Sequence, residues 1–442
     1  MLNRRSWRQA LRLSKRRPLV LFVLCGFWAA VFAVLAGPLP IGPAELAELS
    51  LQDAVVRHGE RTGTPEDLVF LAVDEASLDL SQLEPEEIGA SPVLSMMARG
   101  FPWSRAVYAG IIDKLLAAGA KAVVLDVHFP SRGEGAAELR ETLARHYGRV
   151  VVASLFDDSG VGGGHSGSQY RPPADSILPA DLSAVSLTGF ANFWPDIDRK
   201  VRVAHYRITD ADLVGGAGAG GEPRLSLAAA SLAKSEPDVR LPPAGLMRFC
   251  APGSFFTVPV WSIFVPDIWR ANLRDGMIFR DKIVLLGPLA SRFRDHFRTP
   301  LGTLPGPEIH LHALAAGLAD SFYRRATPAA VMWSCAAMGL LAFLLTWMLR
   351  RPLAALGVLA LLLCAYAGLA VALFNLAGLV PGLLYPCATL VAAGLTSFAY
   401  DFSLERRERA RVRRSLERYV SRDVVRELLD HYEQLVLLAP TM

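Results

Sequence analysis

The stretch ATPAAVMWSCAAMGLLAFLLTWMLRRPLAALGVLALLLCAYAGLAVALFNLAGLVPGLLYPCATLVAAGLTSFAY, residues 326–400, decides how the rest of the chain is read. Apart from Tyr and Cys, its only ionisable side chains are Arg350 and Arg351. The apolar segments on either side run for roughly 20 residues, the length at which a helix crosses a bilayer with its backbone groups bonded internally. The pattern predicts three spans, over 327–349, 353–374 and 379–400, with a break at Asn375-Leu376-Ala377-Gly378. Three crossings put the chain before residue 326 and the chain after residue 400 in opposite compartments.

Toward the amino terminus, LVLFVLCGFWAAVFAVLAG (19–37) is a fourth uncharged run, preceded by Lys15-Arg16-Arg17-Pro18. Val34 and Ala36 would suit a signal-peptide cut, but the run is long for such a segment and is read as a retained anchor. Seven basic residues and no acid lie within the first 37 positions, and the Arg350/Arg351 turn adds two more. The positive-inside rule therefore places the amino terminus, that turn and the tail in the cytoplasm, and 38–325 outside. Arg324 and Arg325 point the other way and are outnumbered. The formal charge of +4 belongs to these flanks, so it is no nucleic-acid footprint. The expected layout is a basic cytoplasmic terminus (1–18), a span (19–37), a large extracytoplasmic domain (38–325), three spans (326–400) and a cytoplasmic linker (401–442). Four of five cysteines fall in apolar spans, which leaves Cys250 alone outside, with no internal disulfide and no multi-thiolate zinc site available there.

Within 38–325 a helical lead-in (46–61) is followed by apolar strands at 68–74, 122–127 and 150–154, which alternate with helices at 104–118 and 136–147. That order predicts an α/β domain with a mainly parallel sheet flanked by helices, beside a four-helix membrane region with one span before the domain and three after it. The glycine-rich stretches 160–167 and 215–221 are read as loops, because neither sits between a strand and a helix as a phosphate loop must. Alternation over 185–209 suggests a hairpin that turns at Asp196-Ile197-Asp198-Arg199-Lys200. A helix at 225–233 and strands at 255–260 and 282–286 come next. A final helix, 308–323, is expected to run straight into the second span as a mechanical handle.

Ligands of open parallel sheets sit beyond the carboxyl ends of the strands. Those ends carry Asp74, Glu75, Asp126 and His128, which together could offer a hard cation or polar ligand carboxylates and an imidazole. The plainer and preferred reading is that Asp74 and Asp126 cap the turns next in the chain. Asp196 and Asp198 alternate like a calcium loop but lack its glycine and closing glutamate, so a turn is preferred. Asp295 and His296 form an acid–base pair or, in the preferred reading, a loop ion pair, since no nucleophile elbow accompanies them. No catalytic residue and no metal ligand is assigned. An exported enzyme thus lacks a nucleophile or metal constellation, and a transporter would carry ionisable groups inside its spans.

Four blocks, LVFLAVDEASL (68–78), FPWSRAVYAGIIDKLLAAGAKAVVLDVHF (101–129), GFANFWPDIDRKVR (189–202) and DKIVLLGPLASRFRDHFRTPLGTLPGPEIHLHALAAGL (281–318), resemble the CHASE2 sensory domain of bacterial membrane receptors. The order of spans is similar too. Two features depart from that family: Asp198-Arg199-Lys200 stands where an Asp-Gly turn is usual, and an insertion occupies 80–97. The resemblance implies a bacterial inner-membrane sensor with an unidentified extracytoplasmic ligand or protein as stimulus; the ligand-binding candidates are Asp74, Glu75, Asp126 and His128 at the strand ends, with Trp103, Arg105 and Asp295 from the matched blocks. It also implies a cytoplasmic output, either a class III cyclase or a kinase. LERYVSRDVVRELL (416–429) is similar to the segment preceding the catalytic domain of class III adenylate cyclases, which makes Arg418, Tyr419, Val420 and Ser421 the expected signal-transducing linker. A cyclase domain would be expected beyond Met442, with ATP, Mg or Mn and a homodimer. The 442 residues themselves would carry no cofactor and no enzymatic activity. The Arg- and Glu-rich run 401–417, free of Pro and Gly, suits either a solvated helix that continues the last span or a basic anchor at its end.

Overall fold

A computed structural model of the chain describes residues 4–37, 42–157, 169–181, 183–209, 223–349 and 351–416. The glycine-rich stretches, Arg350 and the linker residues Arg418, Tyr419, Val420 and Ser421 lie outside these. Two compact units emerge. One joins Asp53–Arg324 to Val371–Val380; the other joins Met1–Gln52, Arg325–Ala370 and Pro381–Met442.

The first unit is built on one sheet whose strands run in the order Phe256–Pro259, Leu68–Val73, Ile283–Pro288, Ala122–Leu125, Val150–Asp157 and Gln169–Arg171, with Thr188–Phe190 also paired to Val150–Asp157. Pairings are parallel (Val69 opposite Phe256, Leu68 opposite Ile283, Ile283 opposite Ala122, Val123 opposite Val150) except at Gln169–Arg171, where Leu155 faces Arg171 antiparallel. Strand residues alternate between two faces, and here both are covered. Val69, Leu71, Val123, Leu125, Val284 and Leu286 pack against Ile111, Ile112 and Leu115 of the helix Arg105–Ala117. Leu68, Phe70, Val124, Ile283 and Leu285 face Leu227 and Leu232 of Leu227–Ser235 and Ile309 and Leu314 of Gly306–Leu318. The insertion at 80–97 supplies two short helices, Pro85–Ala90 and Pro92–Met97, and buries Leu94 and Met97. A second sheet orders Leu379–Val380, Phe322–Arg325, Ala244–Met247 and Val203–His205, so the turn after the third apolar helix ends as a strand of this unit.

Three sequence expectations need correction. The helix that starts near Glu308 stops at Leu318 instead of reaching the second span. Asp320 takes a left-handed backbone (φ 47°), and Ser321 N–H bonds back to Ala316 O at 2.9 Å, the closing bond of a Schellman stop; the strand Phe322–Arg325 comes next. Residues 196–200 do turn, with Asp196 N–H on Lys200 O and Arg199 at φ 60°, but no hairpin flanks them, because Val203–His205 pairs with Ala244–Met247. The last apolar helix begins at Leu384, after the Leu379–Val380 strand, and not at 379.

Among the described residues, four helices carry windows long and apolar enough to cross a membrane: Arg16–Ala36, Pro328–Met348, Ala354–Ala377 and Leu384–Arg411; all but the end of the third, from Val371 on, fall in the second unit. Small and weakly polar side chains join them, as expected where no water drives association. Gly339 sits against Ala29, Cys25 Sγ lies 3.4 Å from Ser397 Oγ, and Trp28 Nε1–H donates to Thr396 Oγ1 at 3.2 Å. At one end Arg17 holds the Asp401 carboxylate through two hydrogen bonds (2.9 and 2.7 Å) and also donates to Thr346 O. The last helix runs on without a break to Leu416, 33 residues in all.

Candidate functional site

The rim at the strand ends does not gather the seven candidates. Asp74 caps the helix Glu75–Asp79, accepting from Ser77 N–H at 2.8 Å and from its hydroxyl at 2.5 Å, as the capping reading expects. Glu75 instead accepts from the Ser291 N–H and hydroxyl (3.0 and 2.7 Å) and ties down the loop after the Ile283 strand. His128 bonds weakly to Pro172 O at 3.4 Å. Trp103 is core, packed edge-on to Phe101, and its indole N–H finds no partner among the described residues. The Arg105 guanidinium lies over the Phe129 ring at 4.9 Å. Asp74, Glu75 and His128 thus bond to separate partners, and among the described residues no group of three or more His, Cys, Asp or Glu is placed to hold a metal ion.

Asp126 and Asp295 lie near enough for the charge of one to act on the other. Asp126 comes directly after the strand Ala122–Leu125, and its N–H donates to Leu286 O of the neighbouring strand. Gly287 leaves it room: a Cβ there would meet Pro307 Cγ at 2.5 Å and Asp126 Cβ at 3.4 Å. The Asp126 carboxyl is only 11% exposed and stands 3.9 Å from His310 Nε2, too far for a hydrogen bond. Burial, with the Asp295 charge added, pushes the Asp126 carboxyl up to about 8, and burial pulls His310 down to about 3. At neutral pH the pair is therefore a protonated carboxyl beside a neutral imidazole, with the Phe193 ring tilted against His310 at 4.5 Å. Burial raises Asp295 too, while His296 opposes the rise. This corner holds a proton and, among the described residues, brings no nucleophile to it. A cleft of about 220 Å3, bordered by Tyr206, Ala229 and Leu241, is lined by none of these residues.

The strongest polar constellation is one that no motif announces. Arg202 is 2% exposed, and all five of its N–H donors are used: Nε and Nη2 on Asp53 (2.8 and 2.9 Å), Nη1 on Asp196 and Asp198 (2.9 and 2.8 Å), and Nη2 again on Asp198 (2.5 Å). Lys200 Nζ adds a bond to Asp53 at 2.5 Å. Burial alone would lower the pKa of Arg202, but its carboxylate partners raise it well above the usual value; for Asp198 the pull of Arg202 outweighs burial and lowers it. Asp196 and Asp198 thus lie in the turn preferred over a calcium loop, and they also form two walls of an arginine cage. One signal was present in the sequence. Leu49, Asp53 and Val56 fall at helical spacing, and an acid inside a buried stripe requires a buried cation.

The model of the CHASE2 domain family matches residues 26–351. Comparison with curated proteins and with solved structures gave no match.

Proposed function

Because this chain belongs to the CHASE2 domain family, whose domains are extracellular sensors, we propose that it is a membrane-anchored sensory module. In this reading the α/β unit lies outside the bacterial inner membrane, and the four apolar helices carry its state to the cytoplasm. Of the seven candidates, Asp126 and Asp295 are assigned the stimulus. The output proposed is a class III adenylate cyclase, which would act as a homodimer on ATP with Mg or Mn. The observation that carries this reading is the Arg17–Asp401 pair, which ties the start of the first apolar helix to the end of the last and so supports both termini emerging on one side. Beyond Asp401 the helix continues with an exposed Glu405–Arg409 ion pair at 3.0 Å, as suits a helix leaving the bilayer into water.

The test is to continue the chain after residue 442 with a class III catalytic domain and measure cyclic AMP in a cyclase-deficient bacterium. Output should change when Arg202→Ala empties the cage or Asp126→Asn fixes the buried acid as neutral. Output indifferent to both substitutions would overturn the proposal. Coupling that appears only with a kinase domain in the same place would redirect it to a kinase output.

A further inference from the structure

The lead-in helix Gly42–His58 contributes Gly42–Gln52 to the membrane unit and its remainder to the α/β unit. Two acidic residues on it, five positions apart, are each engaged within their own unit. Asp53, 1% exposed, sits in the arginine cage and takes Lys200 as well. Glu48 accepts from the backbone N–H groups of Leu383 (3.0 Å) and Leu384 (2.6 Å), at the start of the last apolar helix, while Gln52 Nε2 steadies the same carboxylate at 2.7 Å. A carboxylate on these N–H groups satisfies donors that have no partner within the helix and lies favourably at the positive end of its dipole.

We infer that Glu48 and Asp53 make the lead-in helix a coupling rod: the state of the arginine cage sets how firmly the amino end of the last apolar helix is capped. Five residues of α-helix span about 7.5 Å and transmit rotation as a stiff body. A rearrangement of Arg202, Lys200, Asp196 or Asp198 displaces Asp53, and Glu48 must move with it. Loss of the Glu48 cap frees the Leu383 and Leu384 amides at the start of the helix that ends at Leu416. A direct strand route also exists, since Arg324 N–H donates to Gly378 O, but it carries no group that changes charge, whereas the rod ends in two charge-assisted contacts. Both acids act through other residues and are positioning residues in this sense.

The inference deepens the sensory reading, yet its test needs neither an output domain nor a known orientation, so the two can fail separately. Hydrogen exchange is followed by mass spectrometry on the full chain in lipid nanodiscs. Asp53→Asn should speed exchange of the Leu383 and Leu384 amides about tenfold although it touches neither, within the range typical of coupling between sites. Reciprocally, Glu48→Gln, which leaves the cage intact, should speed exchange of the Val201 and Met247 amides beside Arg202. If Asp53→Asn fails to fold, the Glu48→Gln arm decides alone. Acceleration confined to each variant's own end would overturn the rod.

Discussion

Asp126 is a carboxyl that folding holds in its protonated form, and this has a sign that can be worked out. Its folded pKa of about 8 lies above the ordinary value near 4, so its contribution to native stability falls as pH rises between the two and is constant above. His310 and His312 behave oppositely: burial lowers both to about 3, so the native state loses stability as pH falls below their ordinary value near 6.5. Two histidines outweigh one carboxyl on the acid side, and the carboxyl acts alone on the alkaline side, so the three groups together place maximum stability near pH 6.5. Asp126→Asn should abolish the alkaline loss, about 2 kcal/mol between pH 6.5 and 8, and steepen the acid limb, which the histidines then set alone; denaturant melts at about pH 5, 6.5 and 8 check it. An unaltered alkaline limb would show that the Asp126 site is solvated. The residue-scale signals were unequally legible. Asp74 behaves as a capping aspartate after a strand should, because the motif is local, whereas the Asp126–Asp295–His310 corner joins residues from three distant segments and no spacing announces it.

At the scale of elements, the apolar runs read truly because length and burial decide them. Leu68–Val73, Ala122–Leu125 and Ile283–Pro288 fall within a residue or two of the expected strands, and the helix Arg105–Ala117 starts where Ser104 caps it. Boundaries set by backbone geometry were not legible: the stop at Asp320 uses a left-handed residue that is not glycine, and the Leu379–Val380 strand hides inside an apolar run. The four apolar helices pack through small residues, which yields a direct prediction. A Cβ at Gly339 would lie 2.7 Å from Ala29 Cβ and 3.2 Å from Cys25 O, so Gly339→Leu should destabilise the detergent-solubilised protein by about 1–3 kcal/mol. Leu340→Ala, at a position 53% exposed, should be close to neutral. Equal thermal shifts for the two would contradict the packing.

At the scale of the whole molecule, an α/β sensor is joined to a bundle of apolar helices through the chain itself, and one of the connections is a helix with an engaged acid in each unit. Hydropathy supplied the four apolar helices, because the cost of unpaired backbone in lipid leaves few alternatives, while strand–helix alternation supplied the α/β unit and the resemblance its sensory reading. They could not supply the arginine cage, in which Asp53 lies far in sequence from Arg202. The plan rests on the two ends of the system facing opposite compartments. The direct measurement is cysteine accessibility in intact spheroplasts, with the five native cysteines replaced and one cysteine introduced at an exposed position of either region. A membrane-impermeant maleimide should label the Glu86→Cys protein at once and the Glu408→Cys protein only after the membrane is opened. Labelling of both from the same side would contradict this topology.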